Sequence, residues 1–223
     1  MDQTTPTLLS IQVGLPREFG LEDADDPMES LWTTGSYKAP VSGPILLRTT
    51  NLDGDGQADL TVHGGPDKAV CCYPAAHYPF WRQELNLPEF AHGAFGENFT
   101  LGGMSEADVC IGDVWKIGEA TVEVSQPRQP CWKLARRWKI NDLTRKVQQT
   151  GLTGWYFRVL AEGLVAPAQP LTLINRPAPT WTIERANRVM TVDKKDRALA
   201  AELAAVPSLS ASWKWSLGRR AHS

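Results

Sequence analysis

A chain of 223 residues, 42% apolar and 22% charged, has the composition of an ordinary globular domain with a small appendage, which excludes a disordered or fibrous protein. Its net charge of −2 argues against a binder of nucleic-acid polymers, since such domains carry positive charge throughout. No apolar run reaches the roughly 18 residues of a membrane span, and the opening MDQTTPTLLS lacks a basic, apolar leader, so a cytoplasmic protein without membrane contact is expected.

Taken in chain order, Thr7 to Val13 reads as a strand with Leu9, Ile11 and Val13 on one face. Residues 15–43 are locally acidic and read as a long irregular connection. Further strands are predicted at Pro44–Thr49, Ala69–Tyr73, Asn98–Leu101, Val114–Ile117, Ala120–Ser125, Gly154–Leu160 and Pro170–Asn175. Short helices are predicted over His77–Glu84 and after an Asn141 or Asp142 cap, the latter ended by Gly151. Sixteen prolines and eighteen glycines break the chain into short segments, so the fold class expected is mainly β, a closed or nearly closed barrel with a few short helices.

From about Pro177 the periodicity turns helical. Ile183, Ala186 and Val189 share a face; Asp193 is expected to cap a second helix carrying Leu199, Leu203 and Val206, and Ser210 a third carrying Trp213 and Leu217. Three such short helices need a partner surface, either the barrel or a second subunit, and the amphipathic tail with Trp213 and Trp215 fits a homodimer.

The four cysteines form no C-x-x-C pair, so neither structural disulfides nor a thiolate metal cage is expected; Cys71 and Cys72, in an apolar run, read as small core residues. Cys131 differs. It lies in Gln126-Pro127-Arg128-Gln129-Pro130-Cys131-Trp132-Lys133-Leu134, where prolines are expected to end the preceding strand and Arg128 and Lys133 favour a thiolate, both nucleophile and soft metal ligand. Residues 128–146 hold seven cations against one Asp142. An anion-binding pocket is favoured over a merely solvated face, while stacking of single-stranded nucleic acid on Trp132 and Trp138 fits poorly with an acidic chain.

Other constellations leave alternatives open. His63-Gly64-Gly65-Pro66-Asp67-Lys68 is either a tight loop or a place where backbone approaches a ligand, and Phe95-Gly96-Glu97-Asn98 has the same character. Asp53-Gly54-Asp55-Gly56-Gln57-Ala58-Asp59 fails the calcium-loop pattern, with Ala58 at the sixth position and Gly64 at the twelfth, and its acids read as loop residues. Arg158, among aromatics in a strand, either clamps an anion or stacks at the surface. There is no Walker A loop, dinucleotide fingerprint or iron–sulfur cysteine set, so any redox chemistry would draw electrons from a separate protein.

HGGPDKAV at 63–70, GAFGENFT at 93–100, IGDVWKIG at 111–118 and QPRQPCWKL at 126–134, in that order, resemble the MOSC domain family. GWYFRVL at 154–160 and the helical tail resemble its YiiM-type subgroup. The resemblance implies a MOSC β-barrel over 40–176, a three-helix extension over 177–223, and residues 1–39 as a strand and irregular segment packing on the barrel. It implies a molybdenum–molybdopterin cofactor with Cys131 as metal ligand, and cofactor contacts from Arg128, Lys133, Arg158, His63, Gly64 and Gln126. It further implies reduction of N-hydroxylated compounds such as N-hydroxylated purine bases, with an external electron-donor reductase, Asn98 orienting substrate or a pterin edge, and Glu97 shuttling a proton. Two other classes stay open: a sulfur or cofactor carrier using a Cys131 persulfide or thiolate, and a barrel that only binds partners through its tail.

Overall fold

The computed structural model describes residues 5–222; residues 1–4, the start of the segment read for a leader, and Ser223 lie outside them. The described residues form twelve strands and six α-helices. The strands are β1 (Thr7–Val13), β2 (Arg17–Phe19), β3 (Trp32–Thr34), β4 (Ala39–Val41), β5 (Ile45–Leu47), β6 (Val70–Pro74), β7 (Phe99–Gly102), β8 (Val114–Ile117), β9 (Ala120–Pro127), β10 (Trp155–Ala161), β11 (Gly163–Val165) and β12 (Gln169–Asn175). The helices are α1 (Tyr78–Leu85), α2 (Trp132–Trp138), α3 (Leu143–Thr150), α4 (Ile183–Thr191), α5 (Arg197–Ala204) and α6 (Ala211–His222).

Seven strands in the order β12-β8-β9-β10-β6-β7-β1 close into a barrel through β1–β12 pairing, Thr7 opposite Pro170 and Leu8 opposite Gln169. The β6–β7 pair is parallel and the other barrel pairs are antiparallel; β4 adds to β1 outside the closed ring. Closure removes the free edges that a short-stranded open sheet would expose. β1 is thus a stave of the barrel, where the sequence suggests a segment lying upon it.

The expected irregular stretch 15–43 contains the β2–β3 ribbon and β4. Three-residue strands carry too little alternation to be legible, and this segment is shaped by remote groups: Arg136 of α2 donates to the carbonyls of Pro27, Met28 and Ser30. β9 continues two residues past Ser125 to Pro127, against the expectation that the proline would stop it. Pro127 occupies the last strand position opposite Trp155, and the ladder continues with Arg128 N–H to Gly154 O at 3.0 Å.

A single apolar core runs from barrel to tail. Leu8, Phe99, Val122, Val124, Trp155 and Phe157 of the barrel belong to one buried cluster with Trp181, Ile183, Leu203, Trp213 and Leu217 of the tail. Trp213, expected at a subunit contact, is buried against its own barrel, whereas Trp215 is exposed. The α5 cap is Asp196, accepting from Leu199 N–H at 2.9 Å, rather than Asp193, because α4 runs on to Thr191 and leaves Asp193 in the intervening turn. A second aromatic core of Tyr73, Tyr78, Trp81, Phe90 and Phe95 holds α1, α2 and α3 beside one end of the barrel, with Leu134 and Ala135 as the α2 anchors. Because the tail shares the barrel core, Trp213→Ala should cost about 3–5 kcal/mol of unfolding free energy in one cooperative transition, read by urea denaturation with near- and far-UV dichroism.

Candidate functional site

At the end of the barrel where β9 gives way to α2 lies a cavity of about 720 Å³. Residues from distant parts of the chain form its wall: Lys38 before β4, Gln57 and His63 from the β5–β6 connection, Asn98 before β7, Arg128 after β9, and Cys131 at the start of α2. Cys131 is the N-cap of α2 in an extended conformation, half-buried, and Thr144 of α3 donates to its carbonyl at 2.9 Å. The helix behind it is stapled in place: Arg137 donates to Gly93 O at 2.7 Å and Trp138 Nε1 to Ala94 O at 2.8 Å. On its outer side Cys131 also faces a second hollow of about 1320 Å³, which His63 and Lys133 share and where Leu60, Val62 and Trp132 are exposed.

Charge in the inner cavity is one-sided. Lys38, Lys68, Arg128 and Lys133 line it, and no Asp or Glu among the described residues does. Lys38 is neutralised from behind by Asp55, whose side chain is wholly buried. Lys68 and Lys133 donate to backbone carbonyls, of Val62 and of Thr33. Arg128 is 8% exposed; its Nη2 donates to Phe95 O at 2.6 Å, while its Nη1 is buried with no partner. A buried guanidinium lacking a carboxylate is costly, and an anionic ligand is what would offset it.

The same field acts on His63. Burial, and then the charges of Lys133, Lys68 and Arg128, depress its pKa below 6.5, so its imidazole is neutral at pH 7. Burial also lowers the Lys68 pKa and raises that of the Cys71 thiol, the latter opposed by Arg128. Burial likewise raises the Tyr156 phenol, so Cys71 and Tyr156 are neutral at pH 7.

Of the residues singled out from sequence, the cavity brings together Cys131, Arg128, Lys133, His63 and Asn98. Four others are corrected. Glu97 is fully buried and does not line the cavity; its carboxylate accepts from Gly93 N–H at 2.7 Å, Phe95 N–H at 3.1 Å, Thr100 Oγ1 at 2.9 Å and the Tyr78 hydroxyl. Saturated with donors, it folds the 93–97 turn and is not placed to shuttle a proton to a ligand. Arg158 is spent on Asp67 and Glu123, at 2.6 and 2.7 Å. These two carboxylates in turn accept from Ala211 N–H and Ser208 Oγ, so Arg158 fastens the barrel to the start of α6. Gln126 points the same way, accepting from Ser212 Oγ at 3.3 Å. Gly64 lies outside the wall, against Leu60. Asn98 does line the cavity, but its Nδ2 donates to Asp55 and Gln12 O and its Oδ1 accepts from Cys71 N–H, so it is a frame for the wall.

The basic run 128–146 also divides. Arg136 and Arg137 bind backbone carbonyls, and Lys139, Arg145 and Lys146 pair at the surface with Glu29, Asp142 and Glu84. Lys38, Gln57, Lys68, Cys71 and Tyr156 complete the wall without having been picked out. For two of them strand alternation was the available signal: Cys72 joins the core while Cys71 turns to the cavity, and Tyr156 does the same between Trp155 and Phe157. Lys38 and Gln57 carried no such signal.

Residues 59–172 match the MOSC domain and residues 181–222 the YiiM-like, 3-alpha helix domain. The chain belongs to the MOSC domain family, with the YiiM-type helical extension. It is 45% identical to YflK of Bacillus subtilis over 99% of this chain and 96% of that one, and 38% identical to the protein YiiM of Escherichia coli over 82% of each. It is also 38% identical, over 78% of its length, to 32% of a Gibberella moniliformis protein named a reductase. Among solved structures, YiiM from Geobacillus stearothermophilus superposes with a TM-score of 0.80 at 37% identity, covering 97% of this chain and 99% of that one.

The electrostatics of the wall are open to measurement. In nitrogen-detected NMR of the imidazole, His63 should titrate with a midpoint below 6.5. Lys133→Ala, by removing one repelling charge, should move that midpoint upward while burial still keeps it depressed.

Proposed function

We propose that this chain is a molybdenum-cofactor-dependent reductase of N-hydroxylated compounds, N-hydroxylated purine bases among them, supplied with electrons by a separate donor protein. The observation that carries this reading is the unpaired, buried Arg128 in a cavity lined by four cations, no carboxylate and one half-exposed thiol, Cys131. MOSC domains are associated with molybdenum-cofactor binding, and the fungal relative named a reductase lends the redox reading support.

The residues present fit such a group. Among the described residues no cluster of three or more His, Cys, Asp or Glu could hold a metal ion, so a metal here would need donors from its own carrier, with Cys131 adding one soft ligand. Arg128, Lys68 and Lys133 would hold the cofactor's phosphate. When bound, the cofactor supplies the two electrons that, with two protons, convert an N-hydroxylamine to an amine and water, and the external donor restores them. The chain's own share is positioning. The outer hollow admits a substrate to Cys131, and neutral His63 beside it offers one ring nitrogen as hydrogen-bond donor and the other as acceptor.

Protein made in a host competent for cofactor synthesis should carry near-stoichiometric molybdenum and pterin, with at least tenfold less in Cys131→Ala and in Arg128→Met. Without cofactor, Arg128→Met should be as stable as wild type or more so, since an unpaired buried charge has been removed. Wild type devoid of molybdenum, from cells that load another molybdenum enzyme, would sink the reductase reading. Cyanide-releasable sulfur on Cys131 in that protein would replace it with the carrier reading.

A further inference from the structure

The loop Asp53-Gly54-Asp55-Gly56-Gln57-Ala58-Asp59 has no place in the reading above, yet it supplies part of the cavity wall through Gly56, Gln57 and Ala58. It is held there by a buried carboxylate. Asp55 pairs with Lys38 and accepts from Gly14 N–H and Asn98 Nδ2, each at 2.9 Å. Gly35 packs so closely on this loop that a Cβ there would lie 2.3 Å from Gly56 O.

Gln57 is oriented by the same group. Its Nε2 donates to Asn51 Oδ1 and, at 3.4 Å, to Asp55 Oδ2. A carboxylate can only accept at neutral pH, so the amide nitrogen must face it, and Oε1 is turned the other way. That oxygen is buried and has no hydrogen-bond partner. The wall therefore holds two orphaned polar atoms of opposite kind: Arg128 Nη1, a donor in a side chain more than nine-tenths buried, and Gln57 Oε1, an acceptor. Unpaired buried polar atoms are rare in folded proteins, and two on one cavity call for a ligand that satisfies both. Such a ligand carries an anionic or acceptor group and an N–H edge.

We infer that Gln57 is a specificity residue that accepts a hydrogen bond from the amino edge of a heterocycle bound in this cavity. The identity of the heterocycle rests on the proposed function, which offers two sources with the same chemistry: the aminopyrimidinone edge of the pterin and the exocyclic amine of a purine base. Loss of the bond selectively weakens ligands that possess the amine.

The test is a thermodynamic cycle on the full-length, cofactor-free protein. Calorimetry would give Kd for pterin against lumazine, in which an oxo group replaces the amine, and for adenine against purine, which lacks it. Each pair would be measured on wild type and Gln57→Met, with thermal melts confirming the fold. Wild type should prefer the amine-bearing member of one pair by about tenfold, and Gln57→Met should abolish that preference while leaving the other member's Kd unchanged. Loss confined to pterin and lumazine assigns the contact to the cofactor, and loss confined to adenine and purine assigns it to the substrate; both support the inference. Equal Kd values within both pairs for wild type, no measurable binding of any probe, or preferences that survive in Gln57→Met overturn it. Because molybdenum content plays no part in this cycle, a protein that discriminates yet never loads metal would retain Gln57 as an amine reader and lose the reductase reading.

Discussion

Closure of the barrel by a short pairing between its first and last staves is the constraint on which the rest of the molecule depends. Once β1 meets β12, alternate side chains of each strand must go either to one shared core or out of it. The core takes the apolar set and extends without a break into the helical tail. Polar chemistry can then gather only where strands end, and the ends of β9 and the starts of β7 and β10 deliver Arg128, Asn98 and Tyr156 to one cavity. The second aromatic core fixes α2 beside that opening, so Cys131 is positioned by Leu134 and Ala135 packing a few residues along.

Charge is handled in two distinct ways across this architecture. Outside the cavity, cations are matched: Arg158 by Asp67 and Glu123, Arg176 by Asp113, and several surface lysines by single carboxylates. Inside it, matching stops. Asp55 is committed to Lys38 from behind the wall, and Arg128, Lys68 and Lys133 face inward without an acid beside them. A folded chain tolerates such an imbalance at a cost, and a wall built this way is preorganised for an anion. The tail enters indirectly, since Ser208, Ala211 and Ser212 bind the carboxylates and amide that neighbour the cavity-forming strands.

The sequence-level picture of the site was right about neighbourhood and uneven about direction. QPRQPCWKL put Arg128, Cys131 and Lys133 together because they are close along the chain and an extended turn keeps them so. Glu97, Gln126, Arg158 and Gly64 lie close in sequence to true wall residues, yet strand alternation and turn geometry send them elsewhere. The loop containing Gln57 was read only for what it failed to be. Its partners Lys38 and Asn98 lie 19 residues before and 41 after it, distances that no local pattern spans.

By itself the sequence determined the elements with strong local signals: the alternating strands, the Gly151 stop after α3, the Ser210-led third helix of the tail, and the cysteine among cations. These follow from backbone sterics and side-chain periodicity, which act within a few residues. Only the tertiary structure decided that β1 closes the barrel, that Trp213 is core, that Arg136 and Arg137 serve backbone carbonyls, and that Arg128 has no carboxylate partner. Each of those outcomes depends on which groups from remote segments arrive first at a given polar atom, and burial settles that only once the whole chain has packed.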